Sequence, residues 1–134
     1  MKHKKVLFIF YSICLLFLVC VAVGVRWWQD RQIAPSRQIC NNLLEARYIA
    51  NQQACVVSDE PTYYLPLMFP VGKTDVTYLE TGLQGFEKND TISGVFDGHT
   101  WYRVFYKINT GIIDYYIVDF TFRNGVLTGI RYSG

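Results

Sequence analysis

Val118-Asp119-Phe120-Thr121-Phe122-Arg123-Asn124-Gly125-Val126-Leu127-Thr128-Gly129-Ile130 decides how the C-terminal half of this chain folds. Asn-Gly between two runs of β-branched and aromatic residues is a strong hairpin signal, because a two-residue turn needs positive φ at both positions. With Asn124-Gly125 as the loop, Phe122 faces Leu127, Phe120 faces Gly129 and Val118 faces Arg131. Side chains alternate across a strand, so Val118, Phe120, Phe122 and Leu127 form a core face. Ile117, Asp119, Thr121, Val126, Thr128 and Ile130 form a mixed opposite face. Gly129 opposite Phe120 leaves the ring room to lie across the strand.

Upstream, Asp97-Gly98 and Asn109-Thr110-Gly111 are turn signals. They delimit strands over 99–108 and 112–122, with a weaker leading strand over 91–96. Gly72-Lys73-Thr74-Asp75 opens a short helix with Thr74 as N-cap. Asp75 suits the positive end of the helix dipole, and Val76, Leu79 and Leu83 form one apolar stripe. The same Gly-Lys-Thr is not a phosphate loop, because Pro66 to Val71 precedes it where glycines are needed. Residues 58–70 contain Pro61, Pro66 and Pro70 and read as an extended connection, apolar enough to pack across the domain. Pro35-Ser36 starts a longer helix, with Ser36 as N-cap and Ile39, Cys40, Leu43 and Leu44 at helical spacing, ending near Asn51 or Gln53. The expected fold class is α+β: an N-terminal transmembrane helix, then two helices packed on one face of a three- to four-stranded antiparallel meander. Two helices cover one face of such a sheet, so the other meets solvent or a partner.

Residues 6–25, VLFIFYSICLLFLVCVAVGV, are uncharged. About 20 apolar residues at 1.5 Å rise span a hydrocarbon core of roughly 30 Å. Ser12 can bond back to a helix carbonyl, so it interrupts little. Lys4 and Lys5 before the run, and Arg26, Trp27 and Trp28 after it, suit the two membrane interfaces. The short basic tail, with Lys2, places the N-terminus in the cytoplasm. Three readings compete: a signal-anchor, a cleaved signal peptide and a lipoprotein leader. The run is long for a signal peptide, Gly24-Val25-Arg26-Trp27 is a poor cleavage site, and neither Cys14 nor Cys20 has lipoprotein surroundings, so the flanks favour the anchor. The resulting division is 1–5 cytoplasmic tail, 6–25 membrane helix, 26–35 linker and 36–134 folded domain.

The charge balance follows this division. Three of the 13 Lys+Arg precede the apolar run, leaving 10 bases against 11 acids, net −1, in the remainder. No basic cluster survives there, which argues against nucleic-acid binding. Cys14 and Cys20 fall inside the apolar run, whereas Cys40 and Cys55 fall in the folded part and are expected to form a structural disulfide in an oxidising compartment. Two cysteines and one histidine, His99, do not make a metal site, so no metal and no cofactor is expected.

His99 follows Asp97-Gly98 at a hairpin tip, where Asp and Gly serve the turn, and no nucleophile or base is grouped with it. Asp114 and Asp119, placed on one strand, are five residues apart and point to opposite faces. The chain is not expected to be an enzyme. Asn89-Asp90-Thr91 is a glycosylation sequon that matters only in a eukaryotic secretory pathway. Tyr and Trp favour interfaces, and Tyr63, Tyr64, Trp101, Tyr102 and Tyr115 are the candidate partner surface.

The chain resembles the SmpA/OmlA family, typified by the small lipoprotein subunit of the outer-membrane β-barrel assembly machinery. The resemblance rests on Gly72, Thr74, Val76 and Leu79 around the short helix, on Trp101-Tyr102 opening a strand, and on Val118-Asp119-Phe120 with Asn124-Gly125-Val126-Leu127 in the closing hairpin. It implies two helices followed by a three-stranded antiparallel sheet, in a bacterial envelope protein. The family's lipobox cysteine, and the proline that commonly follows its short helix, have no counterpart here. Together these features point to a single-pass bacterial inner-membrane protein with a periplasmic, non-catalytic domain that binds another envelope protein in envelope assembly or maintenance. The alternative is a periplasmic immunity or inhibitor protein that neutralises a toxin or enzyme.

Overall fold

The computed structural model describes residues 2–33, 35–55, 58, 60–111 and 113–134, with backbone only over 29–33. It forms two compact units, Met1–Arg31 and Gln32–Gly134. The first is helix α1, Lys2–Ile33. Its Lys2–Trp28 portion is long and apolar enough to cross a membrane. The Ser12 hydroxyl donates to Phe8 O at 2.9 Å, so this polar group is satisfied within the helix. The linker expected over 26–35 is helical through Ile33, and Ala34 lies outside the described residues.

The second unit is α+β. Helices α2 (Pro35–Glu45), α3 (Pro61–Met68) and α4 (Val76–Gly82) precede strands β1 (Glu87–Phe96), β2 (His99–Asn109), β3 (Tyr115–Arg123) and β4 (Val126–Ser133). The sheet is an antiparallel meander in the order β1-β2-β3-β4. Asp97-Gly98 and Asn124-Gly125 both take paired positive φ, 53° and 76°, then 51° and 81°, the geometry that a tight hairpin requires. The leading strand is ten residues long, rather than a short weak one. The third strand starts at Tyr115, leaving Asp114 in the preceding turn, where its carbonyl accepts from Thr110 and Gly111 N–H; Ile112 lies outside the described residues.

Helix α2 stops well short of Gln53. The Cys40–Cys55 disulfide is present and holds the two Cα atoms 5.9 Å apart. A helix continued to Gln53 would carry the chain about 20 Å from Cys40 at 1.5 Å per residue, so the long helix and the bridge exclude each other. Arg47 takes φ 62°, and Tyr48 N–H reaches back to Leu43 O at 2.8 Å, closing the helix. The expected extended connection over 58–70 contains α3. Pro61 occupies its first turn, where a missing N–H costs nothing, and Tyr64, Leu65, Met68 and Phe69 turn inward. At α4 the cap is Asp75, which accepts from Tyr78 N–H at 2.7 Å, whereas the Thr74 hydroxyl donates to Pro70 O at 2.8 Å.

The closing hairpin departs from simple two-residue alternation. Phe122 pairs with Leu127 as expected, but Thr121 pairs with Gly129 and Phe120 with Ile130. Thr128 is therefore one extra residue in β4, a bulge, and its hydroxyl donates to Thr121 O at 3.1 Å. Gly129 does not lie opposite Phe120. Beyond the bulge every side chain changes face: Ile130 and Tyr132 turn to the helix side, and Arg131 comes to lie opposite Asp119.

The core lies between the helices and one face of β2 to β4. Ile39, Leu43, Tyr64, Leu65, Phe69, Leu79 and Leu83 meet Val104, Tyr106, Ile108, Val118, Phe120, Phe122 and Leu127. Phe69 sits edge-on to Phe120, with ring centroids 6.2 Å apart. The segment before α4 docks on β4, with Gly72 N–H donating to Leu127 O and Leu127 N–H to Thr74 O, both at 2.8 Å. Strand β1 extends past this layer and is exposed along its whole length.

Candidate functional site

The sheet face turned away from the core is the candidate surface. On β2 it carries Trp101, Arg103, Phe105 and Lys107, the alternates of the core residues Val104, Tyr106 and Ile108. On β3 it carries Tyr115, Ile117, Asp119, Thr121 and Arg123. Cations and rings alternate and stack. The Arg123 guanidinium lies 5.7 Å from the Trp101 ring, Arg103 lies 5.3 Å from Phe105, and Lys107 Nζ lies 4.5 Å from Tyr115. Such pairs are each worth about 0.5–1 kcal/mol at exposed sites.

Asp119 anchors this array. Its carboxylate accepts from the Arg103 guanidinium through both oxygens and also from the Thr121 hydroxyl. It is 6% exposed although it lies on the sheet face opposite α2, α3 and α4, because flanking side chains shield it. Arg131, delivered by the bulge, is its direct cross-strand neighbour. The Trp101 indole N–H is buried with no hydrogen-bond partner. A buried donor without an acceptor costs about 1–3 kcal/mol.

The five candidate aromatics do not form one surface. Trp101 and Tyr115 share the outer face. Tyr63 is exposed on α3, away from the sheet. Tyr64 is fully buried and belongs to the core, because α3 turns it inward where an extended chain had been expected. Tyr102 lies on the helix side, and its hydroxyl donates to Glu80 Oε1 at 3.0 Å. Burial, and then this bond to a carboxylate, push its pKa up to about 12. Burial likewise raises Tyr106, Tyr132 and Tyr78 above their ordinary value. These phenols stay protonated at neutral pH, and that of Tyr102 serves as a donor.

The residues expected at the membrane interfaces, Lys4, Lys5, Arg26, Trp27 and Trp28, all lie along α1. At the β1–β2 tip, His99 Nδ1 is 3.0 Å from the Asn124 side-chain amide, and no carboxylate or nucleophile completes a catalytic group around it among the described contacts. Among the described residues no three His, Cys, Asp or Glu side chains are placed to hold a metal. Sequence reasoning named Trp101 and Tyr115 but missed Arg103, Lys107, Arg123 and the buried Asp119. The available signal was the two-residue alternation of Trp-Tyr-Arg-Val-Phe-Tyr-Lys-Ile over 101–108. No family model, no curated protein and no solved structure matches this chain.

Proposed function

We propose that this protein is a membrane-anchored component of the bacterial cell envelope whose folded unit binds another envelope protein through the outer sheet face. The observation that carries this reading is the row of cation–aromatic stacks around Asp119 on the sheet face opposite α2, α3 and α4. Aromatic and arginine side chains supply most interface hot spots, and a half-buried array already held in place loses little freedom on binding.

In this reading α1 spans the inner membrane, with Lys2, Lys4 and Lys5 in the cytoplasm and residues 32–134 in the periplasm. The Cys40–Cys55 bridge accords with an oxidising compartment. The likeness to the SmpA/OmlA family belongs to the same proposal, supported by the order of helices, sheet and Asn124-Gly125 hairpin; β1 and the disulfide are additions to that plan.

The test is photocrosslinking in intact cells with a photoreactive residue at Tyr115 or Arg123, and at exposed Val71 as control. One discrete protein adduct from the two face positions, absent from Val71, is the expected result. Equal labelling of abundant proteins from all three positions would refute a specific face. A C-terminal reporter active only in the cytoplasm would refute the orientation.

A further inference from the structure

The second half of β1 is an unguarded strand edge. Among the described residues no strand pairs with the outer edge of β1, which ends the sheet. Residues 91–96 read Thr-Ile-Ser-Gly-Val-Phe, without charge or proline, and all are exposed. Strand edges are ordinarily blunted by charges, bulges, proline or a covering segment. The opposite edge, β4, has such devices: the extra residue Thr128, the cation Arg131, and the Gly72–Thr74 backbone bonded to Leu127. In β1 they are confined to its beginning, at Glu87, Lys88, Asp90 and the extra residue Asn89.

We propose that Asp90–Phe96 pairs antiparallel with the same stretch of a second copy of this chain, about a two-fold axis through Ser93. This joins two four-stranded sheets into one continuous sheet. Two separate features select the same register. Regular pairing of β1 with β2 runs from Asp90, just after the bulge, to Phe96, just before the turn, and Ser93 is the midpoint of that stretch. Full overlap therefore sets Ser93 opposite Ser93.

This register also sets Ile92 opposite Gly94 of the second copy. At Gly94 the outer face of β1 has a gap, with no atom within 4 Å of where a Cβ would stand. Ile92, Phe96, Trp101 and Arg103 border an open depression of about 180 Å³ there. Ile92, the adjacent outer-face residue, is 51% exposed. Directly opposed side chains on one face have Cβ atoms about 4.5–5.5 Å apart, so each Ile92 fills the gap at the other Gly94. An axis through Ile92 instead puts Asp90 against the apolar gap, and an axis through Gly94 sets the two gaps against each other. The axis through Ser93 alone combines full overlap with filled gaps. A helix able to cross a bilayer holds copies in one plane, which raises their effective concentration. Trp101 borders the join in this arrangement, whereas the Tyr115–Lys107 stack, farther along the outer face, stays open.

The experiment uses the full chain in its native membranes, with the free thiols Cys14 and Cys20 replaced by serine. Under mild oxidation Ser93→Cys is expected to form a disulfide-linked dimer more completely than Ile92→Cys or Gly94→Cys alone. Co-expressed, differently tagged Ile92→Cys and Gly94→Cys chains are expected to form a mixed dimer. Adding Ile92→Lys or Gly94→Arg is expected to abolish the Ser93→Cys dimer, with the domain's protease resistance unchanged because both sites are exposed. A Ser93→Cys chain that reacts with a maleimide yet stays monomeric overturns the proposal. Linkage to a different protein, or a dimer that survives both substitutions, overturns it equally.

Discussion

Gly82→Ala tests whether the helix layer is packed as tightly as the structure requires. Gly82 closes α4 and is buried. A Cβ there stands 2.7 Å from Phe69 Cζ, 3.0 Å from Phe69 Cε1 and 3.2 Å from Leu43 Cδ2. The Phe69 ring cannot simply retreat, because Phe120 and Tyr78 meet it edge-on at 6.2 and 5.7 Å. Forcing an extra carbon into a filled core typically costs about 1–3 kcal/mol. Alanine's better helix propensity returns at most about 1 kcal/mol, and less at the last residue of a helix. The expected net loss is about 1–2 kcal/mol, a fall in Tm of roughly 5–15 °C for a domain near 100 residues. Calorimetry of the full chain in detergent measures it. In a Phe69→Leu background, which opens the space beside Cζ, the same substitution should cost markedly less. An unchanged or raised Tm for Gly82→Ala, or strict additivity with Phe69→Leu, would refute the argument that the ring is held in place.

Three further outcomes are expected. Cys40→Ser should lower stability by about 3 kcal/mol, since the bridge closes a loop of 15 residues; a reductant should lower the Tm of the parent chain but not of the variant. Inserting one alanine between Gly129 and Ile130 shifts the rest of β4 by one residue, turning Ile130 and Tyr132 outward and Arg131 toward the core. Burying that unpaired charge should abolish cooperative unfolding, as read by near-ultraviolet circular dichroism. Tyr102 has a folded pKa of about 12 against an ordinary 10, so its contribution to stability is complete below pH 10 and is lost as pH rises through about 12. Tyrosinate absorbance should therefore show a late-titrating phenol that disappears in Tyr102→Phe, and the variant should lose part of the alkaline dependence of Tm between those values.

Much of the architecture follows from local chemistry alone. Asn124-Gly125 and Asp97-Gly98 dictate hairpins because few other residue pairs take positive φ twice in succession. The uninterrupted apolar run over 6–25 dictates a helix that could span a bilayer, and Cys40 and Cys55 were readable as partners from their number and place. Those statements rest on periods and torsions within a few residues. Three outcomes depended on distant contacts. Residues 61–68 became helical although their prolines read as a breaker, because Pro61 needs no N–H in the first turn and the apolar side chains find the core on one face. Helix α2 was cut short because its own disulfide demanded the chain's return. At Thr128 no residue type announces a bulge. Its placement satisfies burial of Ile130 and Tyr132 on one face and the meeting of Arg131 with Asp119 on the other. Sequence alone thus determined that the C-terminal half is a hairpin meander. Only tertiary packing decided the register beyond Thr128, because the extra residue is stabilised by side chains that meet across strands rather than along the chain.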